Sequence, residues 1–180
     1  MLRKLGIAFA VVVVLMAGFA VVVALQPADF RIERSATMAT TPATVFALIN
    51  NFHQWDHWSP WAKLDPEMTT TFEGPEAGAG AVYSWSGNDL VGEGKMTITE
   101  SRPDALVQIK LEFLRPMAAT NTTRFALAPE GEGTTVTWSM EGTNNFVGKA
   151  FCLFMDMDKL VGGDFEKGLA AMKSVAEQGA

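Results

Sequence analysis

Two histidines one helical turn apart come nearest to the spacing of a metal site. His53 and His57 are the only histidines in the chain, and Asp56 precedes the second. The helical metalloprotease pattern has Glu directly after its first His, whereas this chain has Gln54. Because no third ligand is suitably spaced, we predict no metal and no cofactor, and surface capping or solvent exposure explains both histidines.

The sequence offers one polar group for chemistry on an apolar molecule, the hydroxyl of Tyr83. It contains no Gly-x-Ser-x-Gly elbow, and its single cysteine, Cys152, lies among Phe151, Leu153 and Phe154, which predicts a buried and inert thiol. If the protein were an enzyme, Tyr83 would be the catalytic candidate. The alternative is a buried ring whose hydroxyl bonds to the backbone.

Three tryptophans within seven residues, Trp55, Trp58 and Trp61, follow a short predicted helix. Such rings could form the rim or lid of a cavity, or a plug that packs the short helices against the end of a sheet. The sequence leaves both readings open.

These residues belong to a predicted α+β fold. A hydroxyl cap and a first-turn proline, Thr41-Pro42, predict a helix, and a second helical turn is expected over residues 53–58. Residues after 143 read as helix, capped by Asn144 or Asn145, with a break or kink expected at Gly162-Gly163 because each glycine costs about 1 kcal/mol relative to alanine. Alternating patterns and turn signals predict seven strands, at residues 30–38, 68–73, 80–86, 93–101, 106–114, 119–128 and 134–142.

A strongly twisted antiparallel sheet of seven strands curls, and a long C-terminal helix would only partly fill the space it encloses. Period-two alternation places Glu112 and Arg124 on the solvent face of the sheet. The alternative to a cavity is an ordinary core that these apolar side chains fill completely. The predicted ligand-binding side chains on the inner face and the helix are Tyr83, Trp85, Met96, Ile98, Ile109, Leu111, Phe113, Phe125, Val136, Trp138, Met140, Phe165, Leu169 and Met172.

Residues 5–25 contain no charge and no proline and would form a helix about 31 Å long, enough to span a bilayer. This run exceeds the apolar region of a signal peptide and lacks a clean small-x-small exit, which favours an uncleaved anchor. Arg3 and Lys4 precede it, so the positive-inside tendency predicts a single-pass protein of the inner (cytoplasmic) membrane. Residues 1–27 would be the anchor and joint, with residues 28–180 forming one domain on the periplasmic, extracytoplasmic side.

The charge of the domain limits its partners. All 20 acidic residues but only 12 of the 14 basic ones follow the anchor, a net charge of −8. Nucleic acid is therefore not an expected partner, and no polybasic segment is present to bind anionic lipid head groups.

Three segments resemble the START/polyketide-cyclase (SRPBCC) superfamily, in its bacterial polyketide cyclase/dehydrase-like branch. They are Thr41-Pro42-Ala43-Thr44-Val45-Phe46, then Phe52-x-x-Trp55-x-x-Trp58-Ser59-Pro60-Trp61, and Asp164-Phe165-Glu166-Lys167-Gly168-Leu169. The resemblance implies a helix-grip fold, in which the sheet grips the C-terminal helix over a hydrophobic tunnel. It also implies members that bind lipids, polyketides or steroids, with a minority catalysing reactions on them.

We therefore predict binding of a hydrophobic small molecule or lipid beside the membrane, without catalysis. One alternative is an enzyme, a cyclase/dehydratase-type lyase or isomerase that uses Tyr83. Another is a cell-envelope interaction module with a filled core. The sequence identifies neither the ligand nor a protein partner.

Overall fold

One curved antiparallel sheet carries the fold, and a long helix packs across its concave face. The computed structural model describes residues 2–178, with side chains from residue 4. Its helices are α1 (Leu2–Leu25), α2 (Pro42–Asn50), a 3-10 helix (Phe52–His57), α3 (Phe146–Cys152) and α4 (Met157–Gln178). Its strands are β1 (Asp29–Met38), β2 (Thr69–Glu73), β3 (Val82–Ser86), β4 (Glu93–Arg102), β5 (Leu106–Arg115), β6 (Ala119–Glu130) and β7 (Gly133–Thr143).

The N-terminal helix is apolar and almost entirely exposed. Its segment Lys4–Leu25 has a mean hydropathy of 3.0 and is long enough to cross a membrane, although a signal sequence has the same properties. Among side chains 4–25, Val23 alone is buried.

The predicted helix starts are confirmed. Thr41 caps α2 by accepting a hydrogen bond from the Thr44 N–H at 3.4 Å, and Pro42 occupies the first turn. Asn51 caps the 3-10 helix through a 2.9 Å bond from the His53 N–H. The two helices bury Val45, Ile49 and Phe52 against the sheet, among other side chains.

The strands follow the order β1-β7-β6-β5-β4-β3-β2, so the first and last strands in the chain are neighbours. Met96 lies opposite both Tyr83 and Leu111, and Trp138 lies opposite Phe125, which confirms that the predicted inner-face residues share one face. A register shift in β4 comes after Ile98 and leaves the pairing of Met96 with Leu111 in phase.

Glu112 and Arg124 point outward, as the alternation predicted. Lys110 donates a 2.7 Å hydrogen bond to Glu112, which lowers the pKa of that carboxyl group. Arg124 donates a 2.8 Å bond to Gln108 on the same outer face.

The predicted break at Gly162-Gly163 is wrong, because α4 runs through both glycines without interruption. The helical region is interrupted earlier, between Cys152 and Met157. Asp156 starts α4 there by accepting a 3.1 Å hydrogen bond from the Lys159 N–H.

An ion-pair network accounts for the presence of glycine at position 162 of α4. Arg34 of β1 donates to Glu166 at 2.7 Å and to Asp158 at 2.9 Å, both on α4, and also to the Asp158 carbonyl at 3.0 Å. These bonds, with Asp158 contributing most, raise the pKa of Arg34 and lower that of Asp158. A Cβ at Gly162 would clash with the Arg34 guanidinium, whereas one at Gly163 would meet nothing within 4 Å.

These two adjacent glycines give a matched test. Gly163→Ala should raise the free energy of unfolding by about 1 kcal/mol, because alanine is the better helix former and has open space there. Gly162→Ala should lose that gain, because its methyl group displaces the Arg34 guanidinium from Asp158 and Glu166. Urea unfolding of the detergent-solubilised chain, followed by near-ultraviolet circular dichroism, measures both.

The Arg34→Ala background supplies the control. With the guanidinium removed, the two glycine variants should differ little, since the clash is gone. If Gly162→Ala stabilised the wild-type chain as much as Gly163→Ala does, the proposed clash would be refuted.

Candidate ligand cavity

A cavity of about 300 Å³ lies between one end of the sheet and the N-terminal half of α4. Its walls are mainly aromatic and aliphatic. The lining residues are Trp55, Asp56, Ser59, Trp61, Ala62, Met68, Tyr83, Trp85, Leu90, Val91, Met96, Leu111, Phe113, Thr123, Trp138, Met140, Leu160, Val161, Asp164 and Phe165.

Eight of the fourteen predicted ligand-binding residues lie in the cavity wall. They are Tyr83, Trp85, Met96, Leu111, Phe113, Trp138, Met140 and Phe165. The structure thus brings together side chains from strands β3, β4, β5 and β7 and from α4.

The other six predicted residues do not line the cavity but lie buried in the adjoining core. They are Ile98, Ile109, Phe125, Val136, Leu169 and Met172. Each belongs to the correct face but lies further along its strand or helix. At that end α2 and the first residue of the 3-10 helix pack against the sheet, with Val45, Ile49 and Phe52 in the same core cluster.

The three tryptophans divide between packing the core and lining the cavity. Trp58 is only 2% exposed and lies in the core, with its indole N–H donating to the Leu48 carbonyl at 3.1 Å. Trp55 is also buried and bonds to the Ile49 carbonyl at 3.0 Å, but it contributes to the cavity wall. Trp61 is half-buried and lines the cavity. The first two rings pack the 3-10 helix against the sheet, and Trp61 lies nearer the rim.

Trp138 lies at the boundary between cavity and core. Its indole stacks on Phe165 of α4 with ring centroids 4.1 Å apart and planes within 8°. Its buried N–H has no hydrogen-bond partner within residues 2–178. An unpaired buried donor costs about 1–3 kcal/mol, so packing must hold the ring in place.

Polar groups in the wall are few. No hydrogen bond from the Tyr83 hydroxyl is found in the described part of the chain, so the backbone partner of the alternative interpretation is not present there. Burial, and secondarily the charge of Asp56, raise the pKa of Tyr83 to about 12. At neutral pH the hydroxyl is therefore a neutral donor facing an apolar space.

Sequence reasoning missed several polar groups of the wall, namely Asp56, Ser59, Thr123 and Asp164. Thr123 could have been found, because it is in phase with Phe125 on β6 and therefore points inward. Asp164 accepts a 2.8 Å bond from Lys167 and is partly exposed. Nothing in the local pattern distinguished Asp164 from an ordinary helix-surface residue.

Two exposed leucines lie at the mouth of the cavity. Leu90, in the loop after β3, is 73% exposed, and Leu160, near the start of α4, is 51% exposed. Both also line the cavity, so the mouth lies between this loop and the first turns of α4.

The remaining candidates for chemistry lie outside the cavity. His53 stacks on Phe72 at 3.9 Å and is exposed, as is His57. No group of three potential metal ligands is found among the described residues. The prediction for Cys152 is wrong, because the thiol is exposed: α3 lies outside the core and buries none of its side chains.

A second depression, of about 590 Å³, lies over strand ends on the surface. Its lining includes the exposed Asp29, Arg31, Thr120 and Thr143, and Arg31 pairs with Glu141 across it. It is larger but more open and more polar than the cavity, so it encloses an apolar ligand less well.

Tyr83 is the only tyrosine in the chain, so its ionisation can be followed directly by phenolate absorbance. We expect a titration midpoint near 12 instead of the ordinary 10. Stability gained by keeping the phenol neutral is fully present below pH 10 and is lost as the pH rises through about 12.

Asp56→Asn provides the control for this titration. It should lower the midpoint, because the carboxylate opposes the phenolate, while leaving most of the effect of burial. A midpoint near 10 in a chain whose circular dichroism remains native would contradict the burial of Tyr83.

Solved structures share this fold at low sequence identity. A protein from Chromobacterium violaceum matches with a TM-score of 0.57 and 14% identity, covering 84% of this chain and 99% of its own. The Aha1 dimer from Colwellia psychrerythraea gives 0.59 and 14%, covering 82% and 96%. The di-domain ARO/CYC StfQ from the steffimycin biosynthetic pathway gives 0.61 and 11%, covering 84% of this chain and 51% of its own.

At these identities, the structural matches show the fold alone. A comparison with curated proteins found no match. The model of one family, described as polyketide cyclase / dehydrase and lipid transport, matches residues 29–177, which is almost everything after α1. The chain therefore belongs to the polyketide cyclase/dehydrase and lipid transport family, as the resemblance of its sequence motifs indicated.

Proposed function

We propose that this protein binds an apolar small molecule or lipid in the cavity, without catalysing a reaction on it, while α1 holds residues 28–180 beside a membrane. The supporting observation is the cavity itself, which is walled by Trp85, Leu111, Phe113, Trp138 and Met140, among others. Polar groups are few, so the affinity would come mainly from the burial of apolar ligand surface, at about 25 cal/mol per Å² before association costs.

The volume of the cavity limits the size of the ligand. A volume of about 300 Å³ is at the lower end of small-molecule pockets, so a large lipid would leave part of itself outside. Tyr83 lines the cavity and Asp56 adds an exposed carboxylate to the same wall. A ligand with an apolar body and one hydrogen-bonding end fits this distribution.

The packing of α1 supports an anchor that is retained. Val23 is fully buried, and Lys149 of α3 donates to the Ala24 carbonyl at 3.2 Å. Cleavage before Ala28 would remove both contacts. With Arg3 and Lys4 retained in the cytoplasm, the domain would lie on the extracytoplasmic side of the inner membrane.

The enzymatic alternative rests on Tyr83 together with Asp56. The raised pKa suits Tyr83 as a hydrogen-bond donor to a substrate carbonyl but not as a base at neutral pH. Asp56 is exposed, so water would compete with any proton transfer through it. The cavity also counts against a module that acts only through its surface and needs a filled core.

Filling the cavity should abolish binding. Leu111→Trp places an indole into the cavity wall, whereas Leu114→Trp adds the same ring at a position that is 58% exposed. Native mass spectrometry of the detergent-purified full chain should show a bound apolar molecule in the wild type and in Leu114→Trp. The affinity of Leu111→Trp for that molecule should fall at least tenfold, equivalent to about 1.4 kcal/mol, and its occupancy should fall accordingly.

Equal occupancy in the two tryptophan variants would show that the bound molecule lies elsewhere. A wild-type chain that is empty in every preparation would count against the proposed function itself.

Tyr83→Phe distinguishes binding from catalysis. Removing one hydrogen bond costs about 0.5–1.5 kcal/mol, so a binding protein should retain most of its occupancy. We expect the wild type and the variant to release the same molecule, compared by mass and chromatographic retention. An enzyme would instead release product from the wild type and unchanged substrate from the variant.

A further inference from the structure

The segment around α3 exposes an unusual concentration of large apolar side chains. We call it the α3 patch, and it comprises Phe146, Val147, Phe151, Leu153, Phe154, Met155 and Leu160. Phe154 is the most exposed of them, at 78%. Soluble surfaces rarely expose contiguous apolar areas of this kind, which generally mark a protein or membrane contact.

The contacts of α1 indicate whether the α3 patch faces a protein or a membrane. The ring of Phe154 lies 6.2 Å from that of Phe19. Lys149 bonds to the carbonyl of Ala24, in the last turn of α1. The α3 patch is therefore continuous with the surface of a helix that is long and apolar enough to cross a membrane.

The position of Phe19 along α1 gives the depth of the patch. Phe19 precedes Leu25 by six residues, or about 9 Å at 1.5 Å per residue. If Lys4–Leu25 fills the hydrocarbon core, Phe19 lies about 9 Å inside it, and Phe154 is its neighbour. Interfacial apolar faces typically enter the bilayer by about 5–10 Å.

Polar residues flank the apolar run of the patch along the chain. Lys149 lies at the height of Ala24, where its amine can reach the interface. Asn145 caps α3 at one end, and Asp156 caps α4 and pairs with Lys159 at the other. The apolar run over residues 146–155 thus lies between two polar borders, and Leu160 follows the second of them.

Leu160 connects the patch to the cavity. It is exposed in the patch and also lines the cavity mouth. An apolar molecule leaving the bilayer at the patch would meet Leu160 before it meets water.

We infer that the α3 patch inserts into the bilayer leaflet at the C-terminal end of α1 and places the cavity mouth against the lipid. This inference rests on the proposed function, because it requires α1 to span the membrane. The occupant is the phospholipid bilayer itself.

Spin labelling of the full chain in phosphatidylcholine vesicles tests this directly. Cys152 is the only cysteine, so Cys152→Ser provides a background for single nitroxide labels. Phe154→Cys reports the patch, Val14→Cys reports the middle of α1, and Leu114→Cys is an exposed leucine on the sheet. Collisions with oxygen, which concentrates in hydrocarbon, are compared with those of a water-soluble nickel complex.

We expect the Phe154→Cys label to favour oxygen over nickel, as the Val14→Cys label does, and the Leu114→Cys label to favour nickel. A patch label that matches Leu114→Cys would overturn the inference. Protection from both reagents would also overturn it, since a second copy or another protein would then cover the patch. A Val14→Cys label in water would refute the spanning helix, and with it this inference, while leaving ligand binding in the cavity to its own test.

Discussion

The stack of Trp138 on Phe165 sets the distance between the sheet and α4, and the cavity depends on that distance. Gly168 allows the approach, because a Cβ there would come within 2.7 Å of the Trp138 ring. Beyond the stack, Leu169 and Met172 continue the helix face into a closed core. On the other side of it, Leu160 and Val161 in the first turns of α4 line the cavity. One aromatic contact thus separates a solid end of the domain from a hollow one.

Strand alternation predicted the inner face well, because the period of two is a property of the extended backbone. It could not predict how far along each strand the cavity extends. Met96 and Ile98 are in phase on β4, yet only Met96 lines the cavity, because Ile98 lies in the core cluster with Val45 and Ile49 of α2. Thr123 was predictable from the phase of Phe125, whereas the role of Arg34 depends on its reaching α4, 124 residues or more along the chain.

Two predictions from the sequence were wrong because a tertiary contact outweighed a local tendency. Gly162-Gly163 disfavours helix in isolation, but Gly162 leaves room for the Arg34 guanidinium, which bonds to α4 on both sides of it. Cys152 has apolar neighbours, which usually means burial in a core. Here those neighbours are exposed on α3 and directly after it, and Phe154 contacts Phe19 of α1.

The connection between α1 and β1 is short, and it limits how far the domain can lie from α1. α1 ends at Leu25 and β1 begins at Asp29, so the domain cannot move far from the end of the helix. If α1 spans a membrane as proposed, a tether this short would keep the cavity mouth at a high effective concentration relative to the bilayer, without any specific lipid contact. Since the domain carries no polybasic segment, its position there would depend on apolar contacts and on this geometry and not on attraction to anionic lipid. A weakly polar cavity would then suffice, because a ligand that partitions into the membrane would reach the mouth without crossing water.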